Sequence, residues 1–191
     1  MGALRLLAPA LLLVSTPAHA ENVGRWRAHI EEASLRFGIP VGWIEGVMRA
    51  ESDGQTMMAG RPIRSRAGAM GLMQLMPRTW NDMRRRLGLG ANPDEPRDNI
   101  LAGTYYLRLM YDRFGYPGLF GAYNAGPGAY GDWLAGRRKL PGETVAYLAN
   151  VTGRDAPVVT NRPAPVPLFV VGREVTPPPL SSLFVVRRDV P

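Results

Sequence analysis

From Val23 to about Gly153, apolar residues recur at steps of three and four, and glycine or proline interrupts each run. Trp26, Ile30, Ala33 and Phe37 fit one face of an amphipathic helix stopped by Gly38. Pro40 suits a first helical position, which predicts a second helix over Val41 to Glu51. Pro77 opens a third, carrying Trp80, Met83 and Leu87 up to Gly88. Asp98 suits the cap of a longer helix bearing Ile100, Leu101, Tyr105, Leu107 and Tyr111 and closed by Gly115. Shorter helices are expected over Gly118–Tyr123, Ala129–Leu134 and Glu143–Val151. The two-residue alternation of a half-buried strand does not occur in this stretch. The pattern predicts an all-α domain over residues 21–153, about 130 residues and large enough for one core.

The two ends read differently. Met1 to Ala20 carries one early Arg5, an apolar stretch from Leu6 to Val14 and an Ala18-His19-Ala20 ending. This is the pattern of a secretory signal peptide over residues 1–20, too short to span a bilayer. It predicts export to the periplasm and no integral membrane segment after cleavage. Arg154 to Pro191 contains eight prolines in 38 residues. Such a tail is too Pro-rich for helices and too short for a second core, so it is expected to be largely disordered. It also holds a near repeat, Leu168-Phe169-Val170-Val171 and Leu183-Phe184-Val185-Val186. Duplicated β-prone segments are the kind that add a strand to a partner's sheet edge, an envelope-machine protein being one candidate; the alternatives are packing onto the protein's own helical domain or an incidental repeat, and the sequence does not name the partner.

Composition narrows the chemistry. The chain has no cysteine, which excludes disulfides, thiol nucleophiles and thiolate metal sites. Its two histidines are His19, inside the leader, and His29. A multi-histidine metal centre is therefore impossible, and neither a metal nor a cofactor is expected. Catalysis must rest on carboxylates, hydroxyls, amides or arginine. The net charge is +7, and every basic residue but Lys139 is an arginine. In an exported protein that balance favours an anionic wall or membrane surface over nucleic acid.

The second helix places Ile44, Val47, Met48 and Glu51 on one stripe. Glu51 thus ends an apolar face, whereas Glu45 has Arg49 four residues on, an ordinary exposed pair. A partly desolvated carboxyl at a helix end should hold its proton near neutral pH. Taken alone, that placement more often marks a buried ion pair than an active site. Three further segments bear on the choice. Gly68 to Pro77 is rich in small residues and methionine, with Gln74 set in an apolar run that must find it a partner. Ala122 to Gly128 sets Tyr123 and Asn124 just before a forced turn. Glu143 to Tyr147 opens the last helix with a phenol one turn in.

In order, Glu51-Ser52, Ser65 with Ala67 to Pro77, Asn99-Ile100 with Tyr106-Leu107, Ala122 to Gly126, and Glu143-Thr144 with Tyr147 form a composite pattern. It resembles the catalytic domain of the soluble lytic transglycosylase (SLT) family, which has a lysozyme-like fold. The resemblance covers about Ile39 to Val151. It implies that Glu51 is the single catalytic acid and base, with Ser65 and Gln74 positioning that carboxyl and the sugar beside it. Met73, Tyr123 and Asn124 would line the substrate cleft, and Tyr147 would face the carboxyl from the last helix. The implied substrate is peptidoglycan, cut between N-acetylmuramic acid and N-acetylglucosamine without water to leave a 1,6-anhydromuramoyl end. The segment from Gly54 to Arg64 lacks the Asn-Pro step common in this family's loop.

Most glycosidases need two carboxylates. Here protonated Glu51 would donate to the leaving oxygen while the sugar's acetamido group stabilises the cationic centre. The ionised Glu51 would then take the proton of the C6 hydroxyl as that oxygen closes onto C1. Asp53, Asp82, Asp94, Asp98, Asp112 and Asp132 sit in cap, turn or exposed helical contexts and read as structural. Two other readings share these residues: a lysozyme-type hydrolase of the same bond, and a non-catalytic wall-binding module. A third places the enzyme in a secretion or conjugation machine, with the tail as its docking element.

Overall fold

A computed structural model describes residues 22–153; the expected leader and the Pro-rich tail, with its repeat, lie outside the described residues. Among the described residues these elements follow in order: α1 (Arg27–Phe37), α2 (Val41–Ser52), β1 (Met57–Met58), β2 (Arg61–Pro62), α3 (Pro77–Leu87), α4 (Pro96–Ala125), α5 (Pro127–Leu134) and α6 (Gly142–Thr152). The all-α reading holds among the described residues.

Helices α1 and α3 end at Gly38 and Gly88, whose φ angles of 66° and 67° are left-handed, as the glycine signals required. Pro40 differs from expectation. It is the N-cap of α2, with ψ 136°, and the first helical residue is Val41. Asp98 is likewise not a cap. The long helix starts at Pro96, and Asp98 in its first turn accepts a hydrogen bond from the Gly90 amide at 2.9 Å. The helix does stop at Gly115, where the backbone turns to φ 63° and ψ −168°, and resumes after Tyr116. The ribbon was not visible as alternation: two residues per strand pair as Met57 with Pro62 and Met58 with Arg61.

Helix α4 is the central element, packing on α1, α3, α5 and α6, while α2 packs on α6 and α1. Ile30, Ile44, Met48, Leu72, Met73, Leu75, Ile100, Leu101, Leu107 and Phe120 are fully buried between them. Each aliphatic or aromatic side chain of this size contributes roughly 1.5–3 kcal/mol on burial, so the core outweighs any surface ion pair. Glu45 does not pair with Arg49; it meets Arg27 of α1 at 3.1 Å, tying the two helices. Among the described residues no helix is long and apolar enough to cross a membrane.

Candidate active site

The stripe along α2 is as the periodicity required. Ile44, Val47 and Met48 are wholly inside the core. Glu51, the next member of that stripe and one residue from the end of the helix, is half-buried. Its enclosure in protein pushes the carboxyl's pKa up from 4.5 to about 7. The neighbouring Glu143 carboxylate at the start of α6 raises it further, and the Tyr147 hydroxyl works in the opposite direction. Tyr147 is itself buried, and its hydroxyl faces Glu51.

The segment beside the carboxyl, Met70 to Leu75, is folded on itself by reciprocal Met70–Leu75 backbone hydrogen bonds of 2.9 and 3.1 Å. Three side chains from three positions hold it. The Ser52 hydroxyl, next to Glu51, donates to the Leu72 carbonyl at 2.8 Å. Asn99 of α4, 1 % exposed, accepts from the Met73 amide at 2.7 Å and donates to the Met70 and Pro93 carbonyls. The Tyr123 hydroxyl donates to the Met73 carbonyl at 2.7 Å. Each bond satisfies a backbone group that burial would otherwise leave unpaired, at a cost of about 1–3 kcal/mol per orphaned group.

The structure thus gathers Glu51, Tyr123 and Tyr147. Burial raises the pKa of both phenols well above 10, and the Glu51 charge adds to the effect. Asn124 lies at the end of α4, where its Oδ1 accepts from the Thr144 hydroxyl at 2.9 Å and joins α4 to α6. Gln74 has φ 45°, a left-handed conformation costly for a side chain with a Cβ. Its amide nitrogen donates to the Gly71 carbonyl at 2.8 Å. Ser65 is exposed and its hydroxyl accepts from the Ala69 amide at 3.0 Å, closing the turn ahead of this segment. Met73 is placed differently from a cleft-lining side chain. It is fully buried against Gly103 of α4, where a methyl group would come within 2.4 Å of its Cβ.

Sequence reasoning gave no role to Ser52, Asn99 or Glu143. The first two brace the Met70–Leu75 segment, and the third sets part of the field at Glu51. The aspartates read as structural behave so: Asp82, Asp94, Asp112 and Asp132 are paired with Arg85, Arg64, Arg108 and Arg137. Asp53 caps α2 in the left-handed conformation at φ 53°. No group of three or more His, Cys, Asp or Glu converges among the described residues. A carboxyl protonated near neutral pH can donate a proton and, once ionised, accept another.

A helical domain built around one half-buried glutamate beside a braced, small-residue segment is of the lysozyme-like class. The family model "Transglycosylase SLT domain" matches residues 28–145, and the chain belongs to that family. It is 38% identical over 115 residues to the soluble lytic murein transglycosylase of Salmonella typhimurium, covering 49% of this chain and 17% of that protein. It is 33% identical over 137 residues to a transglycosylase of enterobacteria phage PRD1, covering 71% of this chain and 48% of that one. Its fold matches the lytic transglycosylase Slt of Pseudomonas aeruginosa, solved as an inactive Glu-to-Gln mutant, with a TM-score of 0.56 and 32% identity over 65% of this chain and 22% of that one. The chain spans less than half the length of each of these relatives.

Proposed function

We propose that this protein is a peptidoglycan lytic transglycosylase in which Glu51 acts first as acid and then as base. One observation carries the reading: the Glu51 carboxyl, raised to about 7 by burial, stands in an SLT domain next to two buried phenols. In the Pseudomonas aeruginosa relative a single Glu-to-Gln change accompanies loss of activity, which fits a mechanism resting on one carboxyl. Glu51 donates its proton to the glycosidic oxygen between N-acetylmuramic acid and N-acetylglucosamine, and the bond to C1 breaks. The substrate's acetamido oxygen stabilises the cationic C1. The Glu51 carboxylate then removes the C6 hydroxyl proton as O6 bonds to C1, and the 1,6-anhydro product leaves. A pKa near 7 suits both halves, because the same group must give and take a proton at one pH.

Gln74, Ser65, Asn124 and Tyr123 hold the sugars and the segment beside them in this reading, Tyr147 steadies the ionised carboxyl, and Met73 contributes packing. Export through the leader at residues 1–20 would bring the enzyme to the periplasmic wall. The repeated tail motif supports docking to a larger envelope machine; deleting residues 154–191 should impair that assembly and leave cleavage of isolated wall intact. Digestion of purified wall in oxygen-18 water tests the reaction itself. Anhydro ends free of solvent oxygen are expected, whereas labelled reducing ends would make the protein a lysozyme-type hydrolase.

A further inference from the structure

We infer that Asn22–Trp26 is a strap that grips the turn just beyond Glu51, making Arg25 and Trp26 positioning residues for the proton-transfer group. Glu51 occupies the last turn of α2, the part of a helix whose carbonyls lack intrahelical partners and which frays most readily. A catalytic carboxyl must instead be held to within about 0.5 Å. The two residues beyond the helix, Asp53 and Gly54, are both left-handed, at φ 53° and 69°.

The strap reaches this turn from the front of the chain. The Gly54 carbonyl accepts two hydrogen bonds, from the Arg25 guanidinium at 2.9 Å and from the Trp26 indole N–H at 2.8 Å. Asn22 donates to the Asp53 carboxylate at 3.4 Å. The strap backbone lies directly on the glycine: a methyl group on Gly54 would meet the Asn22 carbonyl oxygen at 2.6 Å and the Val23 nitrogen at 2.9 Å. Val23, 1 % exposed, anchors the strap in the core, and Trp26 packs on that core as α1 begins. Ser52, at the end of the same helix, donates to the Leu72 carbonyl. The end of the Glu51 helix is therefore clamped between a segment 25 or more residues before it and one 20 residues after it.

The inference rests on the proposed role of Glu51. Loosening the clamp lets the last turn of α2 open and water reach the carboxyl. The groups facing Glu51, namely Tyr147 and Glu143 from α6 and Tyr123 from α4, stay where they are. The desolvation that keeps Glu51 protonated is then reduced, and its geometry against the substrate is lost.

The test uses the full chain carrying Trp26→Phe, which keeps an aromatic ring, smaller than the indole, and removes the N–H, and Arg25→Ala, singly and together. Glu51 is titrated by carbon-13 NMR of its side-chain carboxyl, amide exchange is followed at Asp53 and Gln55, and turnover is measured on soluble glycan strands. Glu51 should titrate about one pH unit lower in the double variant. Exchange at the turn should quicken, and kcat should fall about tenfold with KM held. A double variant that melts earlier while its Glu51 titration and kcat are those of wild type would overturn the proposal. If Trp26→Phe does not fold, Arg25→Ala, an exposed position, carries the test alone. If wild type itself makes no anhydro product, the proposed function fails, and titration and exchange still decide whether the strap holds Glu51.

Discussion

Replacing Glu51 by Gln should remove activity and, above neutral pH, make the protein more stable. In the unfolded chain this carboxyl titrates at the ordinary 4.5, and in the folded protein at about 7. Below pH 4.5 both states hold the proton, and the stabilising effect of a raised pKa is fully present. Between those values the folded protein keeps a proton that the unfolded chain has released, so stability falls as pH rises. Above 7 both are ionised, and the loss is complete. At 1.36 kcal/mol per pH unit the full loss is roughly 3 kcal/mol, an upper bound because water and local relaxation soften it. Glutamine cannot ionise and escapes this loss. Urea unfolding of wild type and Glu51→Gln at a series of pH values measures the difference directly. Its change between pH 4 and pH 8 should approach that figure, on the order of 10 °C in melting temperature. Other titrating groups, such as Glu32 held low by Arg97, cancel between the two proteins. Parallel stability curves would refute the claim that burial holds this carboxyl protonated.

Four smaller perturbations probe the same architecture. Tyr147→Phe removes the hydroxyl that favours ionised Glu51, so the alkaline limb of kcat/KM should move up in pH; Glu143→Gln removes a like charge and should move it down, by less because Glu143 is exposed. Gly103→Ala would press on Met73 and should destabilise by about 1–3 kcal/mol in chemical denaturation while loosening the segment that carries Gln74. Ala59→Gly, at a ribbon turn where Ala59 has φ 51°, should raise stability by about 0.5–1 kcal/mol without altering activity, and a loss would contradict the strain assigned there.

The helices were legible because their apolar faces repeat at the helical period and their ends carry glycine or proline. Glu51 stood out because it ends an apolar stripe. What was misjudged depends on partners that periodicity does not record. Pro40 reads alike as a cap or a first helical residue, since proline fixes φ and the distinction lies in ψ. The ribbon at Met57–Pro62 is too short to alternate. Asn99 belongs to the family pattern, yet nothing in the sequence shows that it braces the Met73 amide 26 residues away. Met73 looked like a ligand-facing methionine, but Gly103 lets α4 approach and buries it. The arginines contributed least to identifying the site: among the described residues several form surface pairs with nearby carboxylates, and they define no recognition surface by themselves.

The central claim is that one carboxyl carries the reaction. Mass spectrometry of muropeptides released from purified wall by wild type and by folded Glu51→Gln tests it most directly. Wild type should release 1,6-anhydromuropeptides and Glu51→Gln essentially none. Undiminished release by Glu51→Gln would contradict the account.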